Sequence, residues 1–316
     1  MPRKINEISV LMPAFNSALY IGKSVRSILN QTFKDFEFII VNDGSTDNTE
    51  EIILNIKDER IKYLKTENKG TAAALNFGIS KAKFDWIARI DADDLSSPAR
   101  LEKQVSFINE NPDIDVLSTW SVYFKDKGKI IFLLKTPVEH KDILRVLNLH
   151  NPLNQSGVIY RKKLIKQEKY NEKFDLNEDF ELFHRIREKA KFYIIPEFLT
   201  YTRISRSSKS FGRRNNNVYN FLFTPAFKNL IDAKSKGDHF YWATTIAWIN
   251  FFYGDRKDSR SYFRKSFSMK NIAAYIATLL PDRIFNKLIS YRLRYRFQSI
   301  FEGKKIYKKE LQKLLS

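Results

Sequence analysis

The fold is decided by one stretch, residues 8–49, which reads ISVLMPAFNSALYIGKSVRSILNQTFKDFEFIIVNDGSTDNT. Two short apolar runs within it, Ile8–Met12 and Phe36–Val41, predict buried strands. Between them, Asn16 and Ser17 offer N-caps to a helix. A cluster of turn formers then ends the second run. The stretch therefore predicts a strand–helix–strand unit.

The alternation of strand and helix continues along the chain. Ile61–Leu64 and Trp86–Ile90 predict further buried strands, and Pro98 fits the first turn of a helix. This order predicts an α/β fold with a mostly parallel sheet flanked by helices. Ligands of such sheets bind beyond the carboxyl ends of the strands. The residues that follow the strands should therefore meet at one edge: Phe15, Asn16, Asn42, Asp43, Asn68 and Asp91–Asp94.

Further elements are predicted downstream. Two strands within Val116–Leu134 would be joined by a hairpin turn at Asp126–Gly128. His140–Leu149 predicts a helix, and Gly157–Tyr160 predicts a strand. An amphipathic helix opens near Asn177.

The run Asp91-Ala92-Asp93-Asp94 has two interpretations. Carboxylates two residues apart on an extended turn can face the same side. Hard divalent cations such as Mg²⁺ or Mn²⁺ bind carboxylate oxygens of this kind and take phosphate oxygens of the substrate as further ligands. The alternative is an Asp-rich turn that caps the following helix. An Asp-x-Asp triplet is common by chance, so the motif alone does not decide between them.

Two other acidic positions present a similar choice. Asp43 either shapes its turn and caps the next helix, or it accepts a hydrogen bond from the imide N–H of a uracil or thymine ring. The pair Glu178 and Asp179 either stabilises the start of its helix or supplies a general base across a cleft from a metal. The residues alone leave both choices open.

Composition narrows the function classes. The chain has 316 residues, 43% of them hydrophobic, a net charge of +19 and no cysteine. It can bury a full core, and disulfides or cysteine-bound metals are excluded. The absence of GxGxxG after a strand, of GxxxxGK[ST] and of GxSxG argues against dinucleotide-dependent redox chemistry, P-loop hydrolysis and a nucleophile elbow. No apolar run reaches the roughly 18–20 residues of a membrane span, and no signal peptide is recognised. A soluble, cytosolic protein is the expectation.

Three motifs in sequence order resemble a known family. Residues 8–49 are similar to the N-terminal signature of family 2 glycosyltransferases. Residues 67–104, ENKGTAAALNFGISKAKFDWIARIDADDLSSPARLEKQ, continue it through the family's Asp-x-Asp motif, and residues 177–186, NEDFELFHRI, resemble its Glu-Asp catalytic motif. The resemblance implies a GT-A fold, a nucleotide-diphosphate sugar donor, Mn²⁺ or Mg²⁺, and hexosyl transfer with inversion at the anomeric carbon.

The resemblance also implies a set of donor-binding residues. Asp43 would bind the base, and the others would line the slot for the nucleoside and the sugar. The whole set is Pro13, Phe15, Asn16, Asp43, Asn68, Gly70 and Asn76.

The acidic residues would carry the chemistry that the resemblance implies. Asp91 would start the donor-side turn, Asp93 would contact the ribose or sugar and share the metal, and Asp94 would hold the metal on the diphosphate. Asp179 would be the general base on the acceptor hydroxyl, supported by Glu178. The metal would neutralise the leaving diphosphate, and a single displacement would invert the centre.

Two departures from the family pattern affect the acceptor side. Residues 151–157, NPLNQSG, resemble a segment that often reads Asn-Pro-x-x-His-x-Ser, but Gln155 replaces the histidine and Gly157 the serine. Inferences about the sugar or acceptor pocket from this segment are therefore withheld. The Gln-x-x-Arg-Trp motif of processive relatives is absent, so addition of a single sugar is expected.

Positive charge is concentrated in the C-terminal third. Residues 205–316 carry a net charge of +16, against +3 for residues 1–204. We predict a GT-A catalytic domain at 1–204, a mobile basic loop at 205–217 and a helical basic region at 218–316. Arg213 in the loop would contact the donor diphosphate as part of a lid, and a solvated linker is the alternative.

The basic region has two interpretations of its own. Basic and aromatic helices fit peripheral binding to an anionic membrane, where family relatives often act on lipid-linked saccharides; an ordinary helical subdomain is the alternative. The expected function is addition of a sugar, from a UDP-sugar, to a saccharide or lipid-linked saccharide in surface polysaccharide synthesis at the inner face of the cell membrane. An inactive GT-A-like scaffold and a polyanion-binding protein remain alternatives. No nucleic-acid module is recognised, so no nucleic-acid partner is expected.

Overall fold

A computed structural model of the chain describes most of its N-terminal two thirds and parts of the rest. The chain divides into two compact units, one of Met1–Ser208 with Ile300–Ser316 and one of Lys209–Ser299. The predicted loop at 205–217, with Arg213, lies outside the described residues. The described residues are 4–125, 128–147, 151–174, 178–204, 256–265, 272, 275–281, 284 and 304–315.

The first unit contains a sheet flanked by helices. The strands are β1 Ile8–Ala14, β2 Phe36–Asp43, β3 Ile61–Thr66, β4 Trp86–Arg89, β5 Leu95–Ser96, β6 Val116–Lys125, β7 Lys129–Leu134, β8 Ile159–Arg161 and β9 Phe192–Arg203. The helices are α1 Ile21–Leu29, α2 Thr49–Leu54, α3 Thr71–Lys81, α4 Arg100–Glu110, α5 His140–Leu147, α6 Lys162–Glu168 and α7 Glu178–Ile186, with α8 Arg256–Lys265 in the second unit and α9 Lys304–Leu315 in the first.

The first half of the sheet is parallel, as predicted. β1 lies between β2 and β4, and β3 pairs with the outer side of β2, all in parallel. Val10, Ile39 and Ile87 are fully buried, which suits strands covered on both faces. The carboxyl ends of these strands lie at one edge, so the loops that follow them open there together.

The second half of the sheet is mixed rather than parallel. β8 runs antiparallel to β4, and β6 runs antiparallel to β8. β9 then lies parallel to β6 and antiparallel to the two-residue β5. The two strands predicted within Val116–Leu134 are confirmed as the antiparallel pair β6 and β7, while residues 126 and 127 of the predicted turn lie outside the described residues. In the described part of the chain, nine strands form this one sheet, in the order β3-β2-β1-β4-β8-β6-β9-β5 with β7 beside β6.

The long strand β9 was not predicted, and its sequence shows why. Pro196 interrupts an otherwise β-rich run, and proline normally disfavours a strand assignment. The pairing with β6 jumps from Ile195 to Phe198, so an irregularity in register accommodates the proline. The strand then continues to Arg203, beside the acidic turn at 91–94.

The helix α9 packs on the sheet of the first unit. Leu311 is fully buried in a small core that also contains Val122 and Phe198, and the ring of Tyr307 lies 5.0 Å from that of Phe198. We expected residues 218–316 to form one C-terminal region, whereas α9 shares a compact unit with the N-terminal domain. None of the helices among the described residues is long and apolar enough to cross a bilayer.

Candidate active site

The acidic turn follows directly from the end of β4. Asp94 is almost completely buried, and its carboxylate accepts hydrogen bonds from the Ser156 hydroxyl and, at 2.7 Å, from the backbone N–H of Arg203. These bonds tie the turn to the 3-10 helix at Gln155–Gly157 and to the end of β9. The structure thus gives Asp94 an anchoring role, and its predicted contact with a metal stays a prediction.

The turn concentrates negative charge in a buried place. Burial, followed by repulsion from Asp91, raises the pKa of Asp93 to about 6. Burial likewise raises the pKa of Asp94 well above its usual range, with repulsion from Asp93 and Asp91 as further causes. A cation bound at the turn would relieve this repulsion. The donor set is all oxygen, which fits Mg²⁺ or Mn²⁺.

The second acidic pair opens α7. Burial raises the pKa of Glu178 to about 7, and the charge on Asp179 adds to the effect. Burial also raises the pKa of Asp179, against the lowering effect of nearby Arg89. Asp179 accepts hydrogen bonds from the Asn151 amide at 3.0 Å and from the Phe180 backbone N–H at 2.7 Å. A carboxylate held in one orientation with a raised pKa suits a general base.

One arginine links the two acidic groups. Arg89, the last residue of β4, is 3% exposed. Its Nη2 lies 3.0 Å from Asp91 and 3.6 Å from Glu178, and its Nη1 donates to the Gln155 side chain at 2.8 Å. The acids that sequence reasoning placed on the donor and acceptor sides are therefore brought together.

Asp43 lies where it was predicted, at the end of β2, but its carboxylate is already engaged. One oxygen accepts from the Thr66 hydroxyl at 2.8 Å and the Lys69 backbone N–H at 2.9 Å, and the other accepts from Gly70 N–H at 2.8 Å. Asp43 thus shapes the loop between β3 and α3, rather than only its own turn. Its contact with a base stays a prediction.

Asn16 holds two loops together at the predicted nucleoside edge. It has a positive φ of 48°, and its side-chain oxygen accepts from the backbone N–H of Thr46 at 2.8 Å. Its own N–H donates to Ser45 Oγ at 3.0 Å. Phe15, beside it, is 38% exposed, and Pro13 lies within β1. The loops after β1 and β2 thus form one rim.

Two further residues predicted to bind the donor are Asn76, on α3, and Asn68, in the loop before it. Asn76 forms a pair of hydrogen bonds with the backbone of Tyr170, both at 2.9 Å, so it braces a neighbouring segment. Asn68 is exposed. A Cβ on Gly44, whose φ is +70°, would come within 2.7 Å of the Asn68 nitrogen, so only glycine permits the loops to approach this closely.

Sequence reasoning missed three residues of the site: Arg89, Asn151 and Ser156. A charged residue inside the apolar run WIARI was the signal for Arg89, because a buried cation requires acidic partners.

The departure from the family pattern at Gly157 has a physical reason. A Cβ there would lie 2.7 Å from Thr119 Oγ1, so the serine of the family pattern would clash.

Among the described residues, no three His, Cys, Asp or Glu side chains form a ready-made cage for an ion. Mg²⁺ and Mn²⁺ sites commonly take one or two carboxylates and complete their shells with water and substrate phosphates.

Solved structures share the architecture. The Staphylococcus aureus TarS 1–349 structure in complex with UDP aligns with a TM-score of 0.54 and 18% identity, over 85% of this chain and 89% of that one. The Pyrobaculum calidifontis mannosyltransferase PcManGT, in complex with GDP-Man and Mn²⁺, aligns with a TM-score of 0.52 and 13% identity, over 99% and 86% of the two chains. At this identity the likeness establishes the GT-A fold.

Sequence relatives and a family model identify the family. An uncharacterized glycosyltransferase of Methanocaldococcus jannaschii is 36% identical over 213 residues, 65% of this chain and 73% of the relative. The Escherichia coli O-antigen biosynthesis glycosyltransferase WbnJ is 35% identical over 190 residues, 58% and 73%. The model for glycosyl transferase family 2 matches residues 9–185, which includes both acidic motifs. The chain therefore belongs to glycosyl transferase family 2 and has its GT-A fold.

Proposed function

We propose that the protein transfers a single hexose, with inversion, from a nucleoside-diphosphate sugar to a saccharide or lipid-linked saccharide. One observation carries the proposal: the turn at 91–94 and the start of α7 converge, with Arg89 3.0 Å from Asp91 and 3.6 Å from Glu178. A donor-side acidic turn and a candidate base held close to each other are what an in-line displacement requires.

The donor is a UDP-sugar in this proposal. The predicted base-binding residue, Asp43, lies at the rim formed by the loops after β1, β2 and β3. TarS, a structural neighbour, has been solved with UDP and with UDP-GlcNAc. PcManGT, a more distant neighbour in sequence, was solved with GDP-Man, so GDP-sugars belong in the same test.

The residues of the acidic turn fit a divalent ion. Asp93 is the better placed of the two predicted ligands, because both oxygens of Asp94 already accept hydrogen bonds. Asp91, whose side chain is 34% exposed, faces the same region. When bound, the ion supplies Lewis-acid neutralisation of the diphosphate.

Asp179 removes the proton in the proposed reaction. The acceptor hydroxyl donates its proton to the Asp179 carboxylate while its oxygen forms the new bond to the anomeric carbon. The bond from that carbon to the diphosphate breaks, and the nucleoside diphosphate leaves with the electron pair. Asn151 orients the carboxylate for this transfer through its 3.0 Å hydrogen bond, and such a base contributes about 10²–10⁴-fold.

The acceptor and the location are proposed from charge. On α9, Lys308 and Lys309 are exposed, while Leu311 packs on the sheet of the first unit. Cations near an anionic leaflet contribute roughly 1 kcal/mol each. WbnJ, a relative, is named for O-antigen biosynthesis. We therefore propose peripheral binding at the cytoplasmic face of the membrane and a role in surface polysaccharide synthesis.

A donor screen tests the function. Purified protein is incubated with UDP-, GDP- and dTDP-sugars and Mn²⁺, with and without saccharide acceptors, and released nucleoside diphosphate is measured. One donor should be turned over, and NMR of the product should show the opposite anomeric configuration. Retention of configuration would refute the single displacement, and no metal-dependent turnover of any donor would favour an inactive scaffold.

Flotation tests the location separately. The protein should float with vesicles containing anionic lipid at low salt and remain behind with neutral vesicles. Charge reversal at Lys308 and Lys309 should weaken flotation without changing turnover of soluble substrates. Absence of binding to anionic vesicles at low salt would remove the membrane proposal and leave the transferase proposal intact.

A further inference from the structure

Arg89 is a buried cation whose partners come from separate segments. It ends β4, where the neighbouring residues Ile87 and Ala88 are fully buried. Desolvation of an arginine in such a place is expensive unless acids and acceptors surround it. The partners here are Asp91, which follows the same strand, and Glu178, which opens α7.

The guanidinium is held in one orientation by neutral groups. Gln155 accepts from Nη1 at 2.8 Å, which leaves Nη2 facing both carboxylates. The Tyr170 ring lies 5.9 Å from the guanidinium carbon, and Asn76 fixes the Tyr170 backbone with two hydrogen bonds. Because Gln155 is uncharged, the positive charge of Arg89 is balanced by Asp91 and Glu178.

We propose that Arg89 is a positioning residue that sets the start of α7, and with it Asp179, against the donor-side turn. This rests on the proposed function. The planar fork of arginine places Nη1 on the Gln155 amide and Nη2 beside both acids, and the flexible, single ammonium of lysine does not reproduce these two fixed donor positions. Small displacements between reacting groups are expensive, since about 1 Å can cost roughly 100-fold in rate.

Kinetics of Arg89→Lys test the positioning role. With the identified donor and acceptor, kcat for transfer should fall about 100-fold while KM for the donor stays within about threefold. Hydrolysis of the donor by water needs the turn but no ordered acceptor, so it should fall less than transfer does. Gln155→Ala, which removes the acceptor for Nη1 and a long 3.5 Å hydrogen bond to the Leu153 carbonyl but neither acid, should cause a smaller fall in kcat with the same pattern.

A matched control is available on the same unit. Arg60 also joins two segments, through Asp58 at 2.7 Å and the Leu29 carbonyl at 3.1 Å, but it lies away from the acidic turn. Arg60→Lys should leave kcat and KM unchanged. If Arg89→Lys keeps kcat within threefold, or loses transfer, hydrolysis and donor affinity in parallel, the positioning role is overturned.

A stability cycle separates this proposal from the proposed function. At pH 8, Arg89→Met should lower the melting temperature, and Glu178→Gln should raise it more in the Arg89→Met background than in wild type, because the double variant leaves no unpaired charge in the Arg89–Glu178 contact. If wild type turns over no donor, the proposed function fails and the link is judged by this cycle. Additive effects of the two substitutions would show that Arg89 does not hold Glu178 and would overturn the proposal.

Discussion

Two groups of polar side chains meet at one edge of the sheet, and they differ in how well they are satisfied. The side-chain oxygens of Asn16, after β1, and Asp43, at the end of β2, accept hydrogen bonds from backbone N–H groups of neighbouring loops. Asp93 and Glu178, in the acidic turn and at the start of α7, are crowded by other carboxylates and have raised pKa values. The first group holds the loops in place, and in the second group burial and repulsion between carboxylates outweigh the attraction of nearby arginines.

This difference indicates where chemistry occurs. A buried carboxylate that accepts several hydrogen bonds is stabilised as it stands. Carboxylates that repel one another in a buried pocket are stabilised by whatever binds there, a cation or a proton, and such groups cluster at functional sites. Substitutions in the two groups should therefore separate into effects on stability and effects on turnover.

The largest effect is expected from Asp179→Asn. An amide cannot accept the acceptor proton, so kcat should fall about 10²–10⁴-fold with donor binding retained. Donor binding by calorimetry and turnover of saturated enzyme measure the two separately. Glu181→Gln is the matched control, since Glu181 lies on the same helix but pairs with Arg185 at 2.7 Å. Equal losses in both variants would mean that α7 matters only structurally.

Asp43→Ala should mainly affect stability. It leaves Lys69 and Gly70 N–H groups without their acceptor, so the free energy of unfolding should fall by about 2–4 kcal/mol. Denaturant unfolding measures this, and Asp43→Asn should lose less because one oxygen remains. Asp113→Ala, at an exposed ion pair with Lys191, should change stability little. A stable Asp43→Ala protein would contradict the structural role assigned to this group.

Asp93→Asn should mainly affect the response to metal. Loss of a ligand should raise the Mn²⁺ concentration that gives half-maximal turnover at least about tenfold, the lower end of what even an outer-shell partner costs. Removal of metal with a chelator should abolish turnover in wild type, and Mn²⁺ should restore it. Unchanged metal dependence in this variant would assign the ion to other residues and reopen the role of Asp94.

The smallest effect is a pH-dependent gain in stability from Glu178→Gln. The pKa of Glu178 rises from 4.5 to about 7 on folding. Between pH 4.5 and pH 7 the folded state therefore binds a proton that the unfolded state has lost, and this binding stabilises the fold. Wild type therefore loses this contribution as the pH rises through 7, and the variant does not. At pH 8 the variant should be more stable by about 1–3 kcal/mol, and the difference should shrink towards pH 5. A constant difference across this range would contradict the raised pKa.

Local pattern was enough to predict the parallel half of the fold. Ile8–Met12 and Phe36–Val41 fall within β1 and β2, and the residues after them lie at a shared edge. Hydrophobic periodicity and turn-forming residues are local properties of the sequence, so they predict these strands and turns without knowledge of the tertiary structure. The mixed half was not predicted in the same way, because β9 contains Pro196 and pairs with a strand far away in sequence.

The acidic residues of the site were identified from the sequence, but which of them accept hydrogen bonds from neighbouring segments was not. Asp91, Asp93, Glu178 and Asp179 could be named as candidates from motif order alone. That Asp94 would accept hydrogen bonds from Ser156 and Arg203 depended on the 3-10 helix and the end of β9 lying beside the turn. Hydrogen-bond satisfaction is a property of three-dimensional neighbours, and no spacing in the chain encodes it.

The sequence by itself determined the class of fold, the family and the positions of the acids, since these follow from short-range pattern and motif order. Only the tertiary structure decided which acids are satisfied and which are crowded, and that Arg89 lies between Asp91 and Glu178. The physical reason is that burial and charge repulsion depend on distances across the sheet. Those distances exist only once β4, β9 and α7 have packed together.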